Sequence, residues 1–249
     1  MSKNLVVTGQ SQLQLLGRFA LDVDGVPVDV SGRDQRLIAF LAIQGPQTRP
    51  VVAGRLWPDS TDERALSSVR SAVMHIRRTS GGILDVRRST LALQASVDTD
   101  IGRLTAYLDE VEGADDGVSH DAREAVRSLR VQDLLPGWYA DWVLETRDHL
   151  HRRQIRALIS VAQAALDGGR PDLAIVLAEQ AEALEPLLES TQRLVIRAHL
   201  VSGNPAAAIR QYRDYDRRLR QELGIRPSEA LSSLVRGTGF VLARRPARA

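Results

Sequence analysis

Between Arg64 and Thr90 the chain carries six arginines, at 64, 70, 77, 78, 87 and 88, against one acid, Asp85. A guanidinium meets a phosphate or the edge of guanine through two parallel N–H donors, so this local excess of positive charge suits a nucleic acid. Ser67, Ser68, Ser71 and His75 lie among these arginines. Short hydroxyls let a helix come close to a flat polar surface, while longer cations reach past it to phosphates. Enzyme chemistry finds less support. There is no cysteine, which excludes thiolate catalysis, disulfides and cysteine-based zinc sites. The five histidines are scattered without metal-ligand spacing, and Ser89, Thr90, His149 and His151 read as loop or surface rather than as a nucleophile with its base. The expectation is a protein that is not an enzyme and needs no metal and no cofactor.

The spacing of apolar residues predicts the element that carries the first of these groups. Leu66, Val69, Val73 and Ile76 recur at helical intervals over Thr61–Arg78. The other face would then hold Arg64, Ser67, Ser68, Ser71, His75 and Arg78, with Arg70 and Arg77 at its edges. Asp59, Ser60, Thr61 and Asp62 offer N-cap side chains, and Gly81-Gly82 end the helix. Ile83–Arg87 and Thr90–Leu93 read as two short strands with Arg87 and Arg88 at the turn. On their own these features also fit a solvated amphipathic helix, and the surrounding order of elements decides between the readings.

Upstream, Leu13–Leu21 reads as a strand, Asp24-Gly25 as a hairpin turn, and Val26, Val28 and Val30 alternate after it. Ser31 is placed to cap a helix over Arg33–Gln44, with Leu37, Ile38, Leu41 and Ala42 inward and Gly45-Pro46 as the stop. A short helix over Pro50–Leu56 follows, holding Val51, Val52 and Leu56, and Trp57 closes it as a packing residue before Pro58. Strands, helix, helix, long amphipathic helix and hairpin make a winged helix preceded by an N-terminal sheet. In such a fold the third helix enters the major groove and the hairpin tip lies against backbone or minor groove. The exposed acidic loop Pro58–Glu63, with Asp59, Asp62 and Glu63, is placed to touch a protein partner rather than DNA.

The remainder has a different character. Ile101–Val111 reads as a helix with Ile101, Leu104 and Leu108 in line, and Asp98 or Asp100 is placed to cap it. A polar loop over Gly113–Ser119 and a helix over Asp121–Leu129 follow. Leu134-Leu135-Pro136-Gly137 then breaks the chain before a long helix from about Trp138–Trp142 to Leu166, whose basic run His149–Arg153 reads as a solvated face. Next comes an internal repeat. Gly169, Pro171, Ala174 and Ile175 return as Gly203, Pro205, Ala208 and Ile209, an offset of 34 residues each. Val161, Ala164 and Leu166 return at the same offset as Val195, Ala198 and Leu200. This is the tetratricopeptide period, and it predicts a stack of helix hairpins with a protein-binding or self-associating surface. Leu187-Leu188 and Leu223–Pro227 mark later junctions. Beyond Ile101 cations and acids balance, which leaves the electrostatic DNA footprint to the first half.

Composition sets the frame. At 249 residues, 43% hydrophobic and 26% charged, the chain can fill two ordinary domains. A net charge of +2 does not by itself announce a nucleic-acid partner. No apolar run is long enough to span a membrane and the N-terminus lacks a signal-peptide pattern, so a cytoplasmic protein with no membrane partner is expected.

The segments LLGRFALDVDG, LWPDSTDERALSSVRSAVMHIRR, VDTDIGRLTAYL, LLPGWYADWVLETRDHL and the stretch ending in ELGIRPS together resemble the Streptomyces antibiotic regulatory protein family, over about residues 13–236. LLPGWYADWV followed by the repeat and ELGIRPS is its specific part. The resemblance implies a mainly α fold. An OmpR-type winged-helix DNA-binding domain with small antiparallel β-sheets is expected over residues 13–96, and an all-α, tetratricopeptide-like bacterial transcriptional activation domain over 97–240. A leader over 1–12 and a tail over 241–249 flank them. It implies a sequence-specific activator, pathway-specific for a secondary-metabolite gene cluster, that binds direct repeats near the −35 promoter element as a homodimer. Its partners would be double-stranded promoter DNA and RNA polymerase holoenzyme, recruited through the σ factor by the loop bearing Asp59, Asp62 and Glu63. By the resemblance Ser67, Ser68, Ser71 and His75 face the bases, while Arg64, Arg70, Arg77, Arg78, Arg87 and Arg88 hold phosphates or the minor groove. Larger relatives carry a nucleotide-binding sensor after the activation domain; here no Gly-rich phosphate loop or receiver domain is found, so neither kind of control is expected. The alternative is a DNA-binding regulator, activator or repressor, gated by a ligand or peptide on its helical repeats.

Overall fold

The computed structural model describes residues 11–113, 129 and 132–237. The expected leader up to residue 10, most of the loop and helix expected between 113 and 129, and the tail lie outside them. The described residues are mainly helical, and among them short strands are confined to the first hundred positions. It divides into two compact units that do not follow a single cut in the sequence. One consists of residues up to 106 together with 132–149, the other of 107–131 together with 150 onward.

The first unit opens with β1 (Ser11–Gln14), β2 (Ala20–Val23) and β3 (Val26–Pro27). The stretch read as one strand, Leu13–Leu21, is therefore two antiparallel strands, with Leu13 opposite Leu21, and Ser11 and Gln12 belong to the first of them rather than to a leader. Gly17, at a φ of 80°, turns the chain between them. Asp24 and Gly25 both take positive φ, 57° and 79°, as a two-residue hairpin turn requires. The α-helices α1 (Gly32–Gln44), α2 (Arg49–Leu56) and α3 (Asp62–Thr79) follow, and then β5 (Leu84–Val86), β6 (Thr90–Leu93) and β7 (Val97–Thr99). Between α1 and α2 lies β4 (Gln47–Thr48), which the sequence reading missed. β4, β6 and β5 form one antiparallel sheet, the wing, in that order.

β7 has no counterpart in the sequence reading, which places only a helix cap at Asp98 or Asp100. It pairs parallel to β1 and completes a mixed sheet of order β3-β2-β1-β7. Immediately after it Asp100, the first residue of α4 (Asp100–Gly113), accepts N–H groups from Leu15, Leu16 and Ile101 at 2.7–3.0 Å. Its carboxylate serves one donor of the first turn and the backbone donors where β1 ends, while the cap expected of Asp98 or Asp100 is made by Thr99, whose hydroxyl accepts the Gly102 N–H at 3.0 Å. The segment LLPGWYADWV packs in this same unit. Leu135 donates its N–H to Leu15 at 2.8 Å, and Gly17 donates to Asp133 at 2.7 Å. Trp142 meets Phe40 of α1 edge-on at 5.3 Å between ring centroids, and Trp138 stacks on Phe19 at 6.4 Å.

The long helix α5 (Asp141–Asp167) contributes its later part to the second unit, which continues with α6 (Pro171–Leu184), α7 (Glu189–Val201), α8 (Pro205–Glu222) and α9 (Glu229–Arg236). The repeat has a local cause. Gly169 and Gly203 take φ of 72° and 70° in equivalent turns, and Pro171 and Pro205 start the next helix, where a missing N–H costs nothing. Ala174 and Ala208, equivalent in the two repeats, are fully buried. The small-residue equivalence fails at one pair: Ala198 is buried, but Ala164 is exposed. Ile196, Ala208, Tyr212, Tyr215, Leu219, Leu231 and Val235 form the core joining α7, α8 and α9.

Two ionic clusters brace this unit. Arg153, read as part of a solvated basic face, is buried instead, and its guanidinium bonds Glu112 at 2.8–3.2 Å and Asp109 at 2.6 Å. The Arg153 hydrogen bond holds the Glu112 carboxyl below the ordinary glutamate range despite partial desolvation. Burial pushes the Glu189 carboxyl up, but Ser228, through its hydroxyl and its amide N–H at 2.8 Å, and Arg193 at 3.2 Å outweigh this and hold it low. A carboxylate whose value is lowered by folding contributes stability above the ordinary value of 4.5 and loses it as pH falls through the folded value. Glu189→Gln is therefore expected to lower the urea midpoint at pH 7, with the gap to the parent protein closing below about pH 4. Midpoints followed by far-ultraviolet circular dichroism from pH 3 to 7 test this, and a gap that stays constant would contradict it.

Candidate nucleic-acid interface

α3 has the strongest claim to a ligand in the first unit. Thr61 is its N-cap, without a side-chain cap bond, and Asp62 and Glu63 in the first turn with Arg77 and Arg78 in the last complement the helix dipole. It buries Ala65, Val69, Ala72, Val73 and Ile76 and packs against α1 and α2. Val69, Val73 and Ile76 are buried as the sequence reading has them, and the stripe differs from it at one member. Leu66 is only half-buried, and two alanines take the inward side. Their small side chains let neighbouring helices approach closely, and the centre of the buried stripe shifts accordingly, by roughly a third of the 100° step between residues.

The rotation decides which groups are displayed. Arg64, Ser67, Arg70, Ser71, Arg77 and Arg78 are exposed. Ser68 is half-buried and donates its hydroxyl back to the Arg64 carbonyl at 3.1 Å. His75 is turned aside: its Nδ1 lies 2.5 Å from Oδ2 of Asp34, a carboxylate with no exposed surface at the start of α1. Asp34 also accepts the Ser31 hydroxyl at 2.8 Å and the Arg33 Nε–H at 3.2 Å, and its own N–H reaches the Ser31 hydroxyl at 3.4 Å. Ser31 and Asp34 thus form a reciprocal cap on α1, and His75 ties α3 to it. His75 therefore sits apart from the serines with which the sequence reading grouped it.

The wing supplies a second set of cations. Arg87 and Arg88 are exposed at its tip, where the Arg87 N–H closes the turn onto the Thr90 carbonyl at 3.0 Å. Arg87 pairs with Asp85 at 2.9 Å while keeping three-quarters of its side-chain surface. Such a surface pair is worth little and is readily exchanged for another anion. Arg49, absent from the sequence reading, lies at the wing through bonds of 3.4 Å to the Ser89 and Arg87 carbonyls. It went unrecognised because β4, which leads into it, spans only two residues and shows no period. Met74 was also missed. It is exposed on the same face as Ser67, from which it lies seven residues, two helical turns.

The loop before α3, with Asp59, is exposed, as are Asp62 and Glu63, which the structure places in the first turn of α3 rather than in the loop, and Trp57 behind the loop is half-buried. The Trp57 N–H caps α2 on the Ala53 carbonyl at 2.9 Å, and Arg36 of α1 donates to the Leu56 carbonyl at 2.9 Å. These bonds fix the ends of the loop. Asp59, Asp62 and Glu63 stand at the opposite end of α3 from Arg77 and Arg78.

Removing the His75 ring would leave the buried Asp34 carboxylate short of a partner. His75→Ala is expected to destabilise the first unit by about 1–3 kcal/mol, whereas the exposed change Ser71→Ala should cost no more than about 0.5 kcal/mol. All three tryptophans, Trp57, Trp138 and Trp142, lie in the first unit, so tryptophan fluorescence in a urea titration reports its stability. Equal midpoints for the two variants would remove the His75–Asp34 tie as a stabilising contact.

Comparison with known proteins places this arrangement. A family described as the bacterial transcriptional activator domain matches residues 106–237, more than half of the chain. The transcriptional regulatory protein MoaR1 of Mycobacterium bovis, and its counterpart in Mycobacterium tuberculosis, are 26% identical over 93% of this chain and 80% of their own length. The solved structure of Mycobacterium tuberculosis EmbR in complex with a low-affinity phosphopeptide shares the fold, with a TM-score of 0.69 at 21% identity over 94% of this chain and 67% of that one. No helix of the described residues is long and apolar enough to cross a membrane. The winged arrangement of the first unit, the paired helices of the second and the match over residues 106–237 identify the chain as a member of the bacterial transcriptional activator domain family, the Streptomyces antibiotic regulatory protein type of transcriptional regulator.

Proposed function

We propose that this regulator is a sequence-specific DNA-binding activator of transcription that uses α3 in the major groove and the wing on the adjacent backbone. The observation that carries the reading is the display on one unit of an α3 face made of serines and arginines beside a wing tipped by Arg87 and Arg88. Ser67 and Ser71 leave room for close approach, Arg64, Arg70, Arg77 and Arg78 reach phosphates or guanine edges, and the wing arginines hold backbone or minor groove. Ser68 and His75 support the display rather than join it. The exposed acids Asp59, Asp62 and Glu63, in the loop before α3 and in its first turn, suit a basic surface of RNA polymerase holoenzyme, including its σ factor.

The family membership supports the further reading. Two protomers occupy direct repeats near the −35 element, upstream of a secondary-metabolite gene cluster, and the protein works in the cytoplasm without a membrane partner. MoaR1 is named a transcriptional regulatory protein, which agrees with a regulatory role here.

Each phosphate neutralised contributes about 0.9 to the slope of log affinity against log salt. Arg87→Ala combined with Arg88→Ala is expected to weaken binding to a labelled duplex and to lower that slope by up to about 1.8. Fluorescence anisotropy across a salt series reads both quantities. Unchanged affinity and slope would take the wing out of the interface.

A further inference from the structure

Met74 is 74% exposed. A methionine on a helix with a core to join normally fills that core, and α3 does bury Ala65, Val69, Ala72, Val73 and Ile76. Met74 is left out of that stripe, on the displayed face between Ser67, Ser71 and Arg78 on one side and Arg70 and Arg77 on the other. Helical side chains lean towards the N-terminus, so the thioether covers the turn that holds Arg70 and Ser71. The short Ser71 side chain leaves that position open.

One flexible apolar group framed by three cations fits a surface that is anionic around a small apolar point. Duplex DNA offers that combination in the major groove, where phosphates line the rim and the C5-methyl group of thymine is the apolar feature of the floor. We propose that Met74 is a specificity-determining residue that packs on a thymine methyl group of the target sequence. The proposal rests on the DNA-binding reading above and adds a base preference to a face whose hydroxyls and arginines contain no apolar reader.

Full-length protein is used to select duplexes from a random pool, and each thymine of the selected sequence is replaced singly by deoxyuridine. The replacement removes the methyl group and keeps every hydrogen-bonding atom. Parent protein is expected to lose about three- to fivefold in affinity at one or two thymines, the worth of one buried methyl group. Met74→Ala should bind the unmodified duplex that much more weakly and be indifferent to the same replacements, and Met74→Leu should recover the preference. Indifference of the parent protein to every deoxyuridine, or an unchanged thymine preference in Met74→Ala, overturns the assignment while leaving DNA binding intact. Selection of no sequence at all removes the DNA-binding reading, and this proposal with it.

Discussion

The rotation of α3 about its own axis is the constraint on which the rest of the first unit depends. Ala65, Val69, Ala72, Val73 and Ile76 form a stripe that has to face α1 and α2. A turn by one residue step would drive Ser68 inward and lift Val69 into solvent. Hydrophobic burial alone tolerates small errors in this angle, because a methyl group has no preferred direction. A hydrogen bond does, and His75 meeting the buried Asp34 carboxylate at 2.5 Å supplies the direction. The same contact explains why the displayed face is centred on Ser67, Met74 and Arg78 rather than on His75.

Asp34 and Asp100 show one economy used twice. Each is an acid at or near a helix start, and each also ties down a second element. Asp34 completes the Ser31 cap and holds His75 of α3. Asp100 accepts the Ile101 N–H in the first turn of α4 and takes the N–H groups of Leu15 and Leu16, which follow β1. A carboxylate has about four lone-pair directions, so it satisfies several buried donors that would each be costly alone. In a unit whose strands are two to four residues long, such side-chain bonds replace the long ladders of larger sheets.

What could be read from the residues follows from how local each signal is. The Ser31 cap, the Asp24-Gly25 turn, the stop after Gln44 and the 34-residue return of glycine, proline and alanine are written in neighbouring residues, and each was legible. β4 and β7 were not, because strands of two and three residues carry no period and exist only through distant partners, Thr90-Leu91 and Ser11–Leu13. The single strand expected over Leu13–Leu21 hid a fold-back at Gly17, since both arms are apolar. Arg153 was misread because a charge run looks solvated until Asp109 and Glu112 are brought from 41–44 residues away. In the candidate interface the cations were legible from local charge. The true face was not, since alanines at 65 and 72 count little in a hydrophobic period yet pack best against neighbouring helices. Met74 was overlooked because its type predicts burial.

The most direct measurement is the binding of Ser71→Glu to a duplex that the parent protein selects, with circular dichroism recorded alongside. Ser71 is exposed on the displayed face and outside the buried stripe, so a carboxylate there should leave the fold intact and repel phosphates at close approach. The account predicts unchanged helicity and loss of most of the affinity, together with loss of transcription stimulated from a promoter carrying that duplex. Undiminished binding by a folded Ser71→Glu protein would contradict it, because the DNA contact would then have to lie away from α3.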